Sequence, residues 1–230
     1  MPRRSRPRQL TLPVRRGWGG ARPGAGRKPG PRPLVLHRAR GEHKTRHPVH
    51  VTLRARRELG SLRSARAYSA LEAAIAAGSR TDFRIAHFSV QGDHVHLLVE
   101  AHDRVSLSSG LRGLSIRAAR SINRIAGRSG PVWADRYHCH ELTSPREVRH
   151  ALRYVLLNSR KHGRQTQPLD PCSSARWFDG WRDHDPVVDL AADPPAVVRP
   201  RTWLLTAGWR RHGLIRFDEK APVPAKRLTN

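Results

Sequence analysis

Two stretches of this chain carry side chains that could do chemistry together. In Asp93-His94-Val95-His96-Leu97-Leu98-Val99-Glu100, polar and aliphatic residues alternate at the start of an apolar run. Side chains of a β-strand point to opposite faces in turn. Val95, Leu97 and Val99 then share one face, and His94, His96, Leu98 and Glu100 share the other. The all-aliphatic face belongs against a hydrophobic layer, so the two imidazoles point together from the opposite side, close enough to grip one metal ion. Two surface histidines in a chain with 14 of them would give the same pattern. The second stretch runs from Ser144 to about His162. There Val148, Leu152, Val155 and Leu156 form a buried stripe at helical spacing, and Tyr154 lies roughly 140° from its centre. Asn158 falls one turn later on the same side, with Glu147, His150 and Lys161 nearby. A tyrosine that only filled core would sit with the leucines. An amphipathic surface tyrosine and a functional one both fit this position.

Other groups carry weaker signals. His138-Cys139-His140 has zinc-ligand residue types, but one cysteine between alternating histidines is poor ligand geometry. Tyr137, on a strand near Trp133, suits base stacking or core packing. Arg112, Arg117, Arg120 and Arg124 lie along one helix, as a phosphate track or as a solvated face.

The elements that must hold these groups follow from periodicity. Pro48 to Arg54 alternates and reads as a strand. Residues 62–77 read as a helix stopped by Gly78, with Tyr68, Leu71 and Ile75 on one face. Phe83 to Val90 and His94 to Ala101 read as strands joined by Gln91-Gly92-Asp93. Residues 105–126 read as a long helix with Leu107, Leu111, Leu114, Ala118 and Ile125 on one stripe. Val132 to Leu142 reads as another strand. Ser144-Pro145-Arg146-Glu147 is a strong helix start: a serine cap, a proline at the first helical position and a glutamate three after the cap. The order β-α-β-β-α-β-α predicts an α+β fold: a ferredoxin-like, split-βαβ antiparallel sheet with helices on one face and the other left open, followed by a C-terminal helix carrying Tyr154.

Composition bounds the partners. The chain has 230 residues, 44 Lys and Arg against 18 Asp and Glu, and a net charge of +26. Such a charge calls for a polyanion, and nucleic acid is the first expectation. No segment is a basic amphipathic helix with a broad apolar face, and no apolar run approaches the ~20 residues that span a bilayer, so no membrane partner is expected. The basic N-terminus has no apolar core of a secretory signal, and Cys139 and Cys172 form no CxxC pair, which together point to a reducing cytoplasmic, nucleoid-associated setting. Residues 1–46, rich in Arg, Gly and Pro, read as a disordered basic tail. Within it, Gly24-Ala25-Gly26-Arg27-Lys28-Pro29-Gly30 resembles a short basic-glycine motif of the A·T-rich minor groove, which makes Arg27 and Lys28 candidate DNA contacts; a solvated basic tail fits the same residues. Residues 47–163 hold the periodic elements. Residues 164–230 form a Trp- and Pro-rich C-terminal extension, too short for a clear independent domain.

His94-Val95-His96 with its aliphatic run, then Val132-Trp133-Ala134-Asp135-Arg136-Tyr137, then Tyr154-Val155-Leu156-Leu157-Asn158 resembles the single-tyrosine HUH transposases: the IS200/IS605 enzymes and the REP-associated tyrosine transposases. The resemblance covers about residues 45–163. It implies an enzyme that nicks and rejoins single-stranded or hairpin DNA through a 5′-phosphotyrosine, with Mg²⁺ or Mn²⁺. Carried over, Tyr154 is the nucleophile, and His94, His96 and Asn158 are the metal ligands. Asp93 stands where relatives often have Asn, and Ser159 where they often have Pro; neither removes a group the chemistry needs. Arg112, Arg117, Arg120 and Lys161 become candidate DNA contacts, and the active species is a monomer or a homodimer. Two other readings remain: a catalytically inactive, transposase-derived DNA-binding protein, and an RNA-binding split-βαβ module. The latter wants exposed aromatics on its central strands, where this chain has His94 and His96.

Overall fold

A computed structural model describes residues 41–158, 169–183 and 194–219. Four strands, β1 (Val49–Arg54), β2 (Phe83–Val90), β3 (His94–Ala101) and β4 (His138–Glu141), form one sheet in the order β2-β3-β1-β4, every pairing antiparallel. With α1 (Ala65–Ala76) and α2 (Arg104–Ile125) this is the split-βαβ arrangement that the periodicity predicts. The register sets Thr52 opposite His96, Arg54 opposite His94 and His50 opposite Leu98.

Alternation sorts the sheet into two faces. Val49, Val51, Leu53, Val95, Leu97 and Val99 meet Leu71, Ile75, Leu107, Leu111, Leu114 and Ala118 in the first core. Tyr68 and Tyr137 pack against this core, so packing accounts for both. Helix α2 starts where the Asp103 carboxylate accepts a hydrogen bond from the Ser106 amide at 2.7 Å. It approaches the sheet closely through Gly110, where an added Cβ would lie 2.3 Å from the Phe83 ring.

The other face is not left open. Helix α3 (Pro145–Leu156) lies over β2 and β3. Its start is the expected capping box: the Ser144 hydroxyl accepts from the Glu147 amide at 3.3 Å, and the Glu147 carboxylate accepts from the Ser144 amide at 3.1 Å. Val148, Leu152, Val155 and Leu156 join Ala86 and Leu98 of the sheet and Phe178, Leu204, Leu205, Trp209 and Ile215 in a second core. The last five come from beyond residue 168, so much of the C-terminal stretch completes the core under α3. Polar ties hold it there. The Glu100 carboxylate accepts from the Arg201 and Thr202 amides at 2.8 and 2.7 Å, and Arg63 grips the buried Asp170 carboxylate at 2.7 and 2.9 Å. The second core takes no residue from β1 or β4.

Two boundaries differ from the periodic reading. The last strand is His138–Glu141, and Val132 to Tyr137 before it pairs only through an isolated bridge between Trp133 and Ala55, just past the end of β1. Residues 43–47, just at the end of the basic stretch, are anchored: His43 and His47 hold the Glu141 carboxylate at 2.6 and 3.3 Å. Among the described residues no helix is long and apolar enough to cross a membrane.

Candidate active site

The site lies where β3, β1 and the C-terminal half of α3 meet on the second face. His94 and His96 project together, as alternation requires, with their Nε2 atoms 3.0 Å apart. Each ring is held from its other nitrogen. The Nδ1 of His94 lies 2.7 Å from the Asp93 carboxylate, which also pairs with Arg54 at 3.3 Å. The Nδ1 of His96 lies 3.1 Å from the Thr52 hydroxyl and 3.2 Å from Nε2 of His50. The Asp93 carboxylate accepts the Nδ1 proton of His94 and so frees its Nε2 as a lone-pair donor, while Thr52 and His50 hold the His96 ring in place. Asp93 therefore acquires a defined part at the position where relatives often have Asn. Its carboxyl is held below the usual range, first by the hydrogen bond to His94.

Tyr154 meets this pair. Its ring stands edge-on to His96, centroids 5.0 Å apart, and edge-on to His50 at 5.7 Å. It is half-buried against the edge of the second core. His96 is 4 % exposed: Tyr154 and His50 close over it. Burial pushes the Tyr154 hydroxyl above its ordinary pKa. Among the described residues no cation offsets that cost. The reason is visible on α3: Arg149 and Arg153 turn instead to the Glu219 carboxylate, with contacts of 2.7 to 3.1 Å.

His50 and Thr52 were not singled out by the sequence. The signal was there, because β1 alternates Val49, Val51 and Leu53 with His50, Thr52 and Arg54. What it lacked was the register that sets Thr52 against His96. Burial, and next the proximity of His140, lower the His50 pKa to about 4, so this ring is neutral at physiological pH.

The remaining candidates fall out as follows. Asn158 is buried, at 2 % exposed, one turn beyond Tyr154. Arg112, Arg117 and Arg120 are exposed on α2, which packs on the first face, away from the histidines. Arg27, Lys28 and Lys161 lie outside the described residues. Cys139 packs against the first core, whereas His138 and His140 alternate to the second face; the three cannot converge on one ion.

The donor set fits a metal in part. Two nitrogens bound to one ion at about 2.0–2.1 Å and at right angles lie about 3 Å apart, which is the separation of the two Nε2 atoms. Among the described residues no group of three or more His, Cys, Asp or Glu side chains is arranged to hold an ion. Among the described residues a third protein ligand would have to be of another type, as an asparagine would be.

Comparison with known proteins converges on the same stretch. Residues 43–156 match the family described as IS200-like transposases. Among solved structures, a REP-associated tyrosine transposase bound to a REP hairpin shares the fold: TM-score 0.53, 22 % identity, 73 % of this chain and 99 % of that one. No curated protein sequence matches the chain.

Proposed function

Because the chain belongs to the IS200-like transposase family, we propose that it cuts and rejoins single-stranded DNA carrying a hairpin, with Tyr154 as the nucleophile and His94, His96 and Asn158 as ligands of Mg²⁺ or Mn²⁺. The observation that carries this reading is the meeting of Tyr154 with a histidine pair whose Nε2 atoms lie 3.0 Å apart. The fold shared with a hairpin-bound REP-associated enzyme supports a REP-type hairpin as the substrate class.

In the reaction, the Tyr154 oxygen bonds to phosphorus and the bond to the 3′ oxygen breaks. The products are a 5′-phosphotyrosine and a free 3′-hydroxyl, with the phenolic proton ending on the leaving oxygen. A phenolate is itself a fair leaving group, so the reverse step rejoins a strand without an energy source. A hard divalent ion, when bound, polarises the phosphoryl group and orients it for in-line attack. Asp93, Thr52 and His50 hold the two imidazoles in place, and the second core fixes α3 so that Tyr154 is set against them before DNA arrives. Tyr154 packs on His96 of its own chain, which supports a site that one copy supplies, whether it acts alone or as a dimer. We assign the HUH domain to residues 47–163, with residues 1–46 as a basic DNA-binding tail and residues 164–230 as an extension, from which Phe178, Leu204, Leu205, Trp209 and Ile215 back α3.

The test is a hairpin single-strand cleavage assay with and without Mg²⁺ or Mn²⁺. The wild type should cut only with metal and leave protein covalently attached to DNA. Tyr154→Phe, which removes only the attacking oxygen, should fold and bind DNA but form no adduct. A Tyr154→Phe protein that still becomes attached would show that another residue is the nucleophile.

A further inference from the structure

The His138-Cys139-His140 stretch is left without a part once Cys139 turns into the first core. Its two histidines sit on the second face, in line with the site. The register sets His138 opposite Thr52 and His140 opposite His50, and those two residues flank His96. Both histidines are exposed on β4, an edge strand. His140 has one ion-pair neighbour, the Glu147 carboxylate at 4.0 Å, and among the described residues His138 has no hydrogen-bonding partner. The second core covers β2 and β3 and takes nothing from β1 or β4. The site thus has a wall on one side and, past the half-buried His50 and Thr52 of β1, the exposed histidines of edge strand β4 on the other. Strands lie about 4.8 Å apart, so β4 is within reach of nucleotides next to a phosphate held at His94 and His96.

We propose that single-stranded DNA entering the site runs across the β1–β4 half of the sheet, with His138 and His140 as its contacts beside the cut. This rests on the cutting reading above and adds the path of the strand. A neutral imidazole offers one donor and one acceptor, which suit phosphate oxygens or base edges, and its flat ring can carry a stacked base. The covered half cannot serve, because α3 and the C-terminal residues fill it.

The experiment uses the full chain with Tyr154→Phe, which cannot cut, and a fluorescent single-stranded oligonucleotide read by anisotropy. Adding His138→Ala and His140→Ala together should weaken binding about tenfold, the loss of two ordinary hydrogen bonds. His102→Ala is the control: that histidine is 75 % exposed just past the far end of β3 and should leave affinity unchanged. Thermal melts of the variants show whether the fold is intact. A double variant that binds as tightly as its parent overturns the proposed path, as does an equal loss with His102→Ala. Wild-type protein that binds the strand but never cuts it overturns the cutting reading and leaves the path standing.

Discussion

The two faces of the sheet are built from the same strands by different means. The first is closed mainly by α1 and α2, whose apolar stripes follow directly in the chain, with Val132, Cys172, Ala196 and Val197 at its margin, and most of its buried side chains are aliphatic. The second is divided. One half is sealed by α3 and by residues from 169 onward, and the other carries polar groups near water. The site lies on the line between them, where Leu98 of β3 is fully buried and His96, two residues before it, is buried against Tyr154 and His50. The contrast shows how a polar pair is kept rigid without being drowned in core: a hydrophobic wall holds α3 from behind, while hydrogen bonds hold the imidazoles from the side. A face closed by local helices has no such border.

The sharpest way to test that division is to remove one side chain from each face of β3. His96→Ala should lower cutting by about three orders of magnitude or more, since an ion that orients and polarises phosphate supplies several kcal/mol to the transition state, yet cost only about 1–2 kcal/mol of stability. Leu97→Ala should do the reverse, costing about 3 kcal/mol by cavity formation while sparing cutting at temperatures where the protein stays folded. Denaturant melts and cleavage rates on both variants decide it. Equal losses of stability would mean that the second face is no different in kind.

A smaller effect is expected at the outer surface of α3. Burial opposes the charge of Glu219, but hydrogen bonds from Arg149, the Arg216 amide and Arg153 more than offset it, so its carboxyl is held below the usual range. Its folded-state pKa thus lies below the unfolded value of about 4.3. The stabilisation is present above that value and is lost as the pH falls through the folded one. Glu219→Gln should cost about 1–2 kcal/mol at pH 7, with the gap to wild type closing below about pH 4. Urea melts at the two pH values read this directly, and a gap that persists in acid would remove the Glu219 clamp from the account. The smallest effect is expected from removing residues 1–40. Binding to hairpin DNA should weaken several-fold and become less salt-sensitive, because each lost phosphate contact lowers the salt slope by about 0.7 to 0.9, and the cut position should not move. Unchanged affinity at moderate salt would show that the tail does not touch DNA.

Sequence alone determined what local rules govern. Alternation in β3 assigned His94 and His96 to one face and Val95, Leu97 and Val99 to the other, because the pleat admits no other arrangement. Helical spacing separated Tyr154 from the leucines of α3, and the Ser144–Glu147 box placed the start of that helix. The element order fixed the split-βαβ sheet. Tertiary structure decided what depends on residues far apart in the chain. Thr52 and His50 became partners of His96 only through the β1–β3 register, and Asp93 could be seen to hold His94 only once both side chains were placed. The sealing of the second face by Phe178, Leu204, Leu205, Trp209 and Ile215 carried no periodic signal, because those residues lie in loops and in helical segments of four or five residues, too short for a repeat to show. Cys139 left its two histidine neighbours for the same reason that the two reactive histidines stay together: in a strand, adjacent residues part and alternate residues meet.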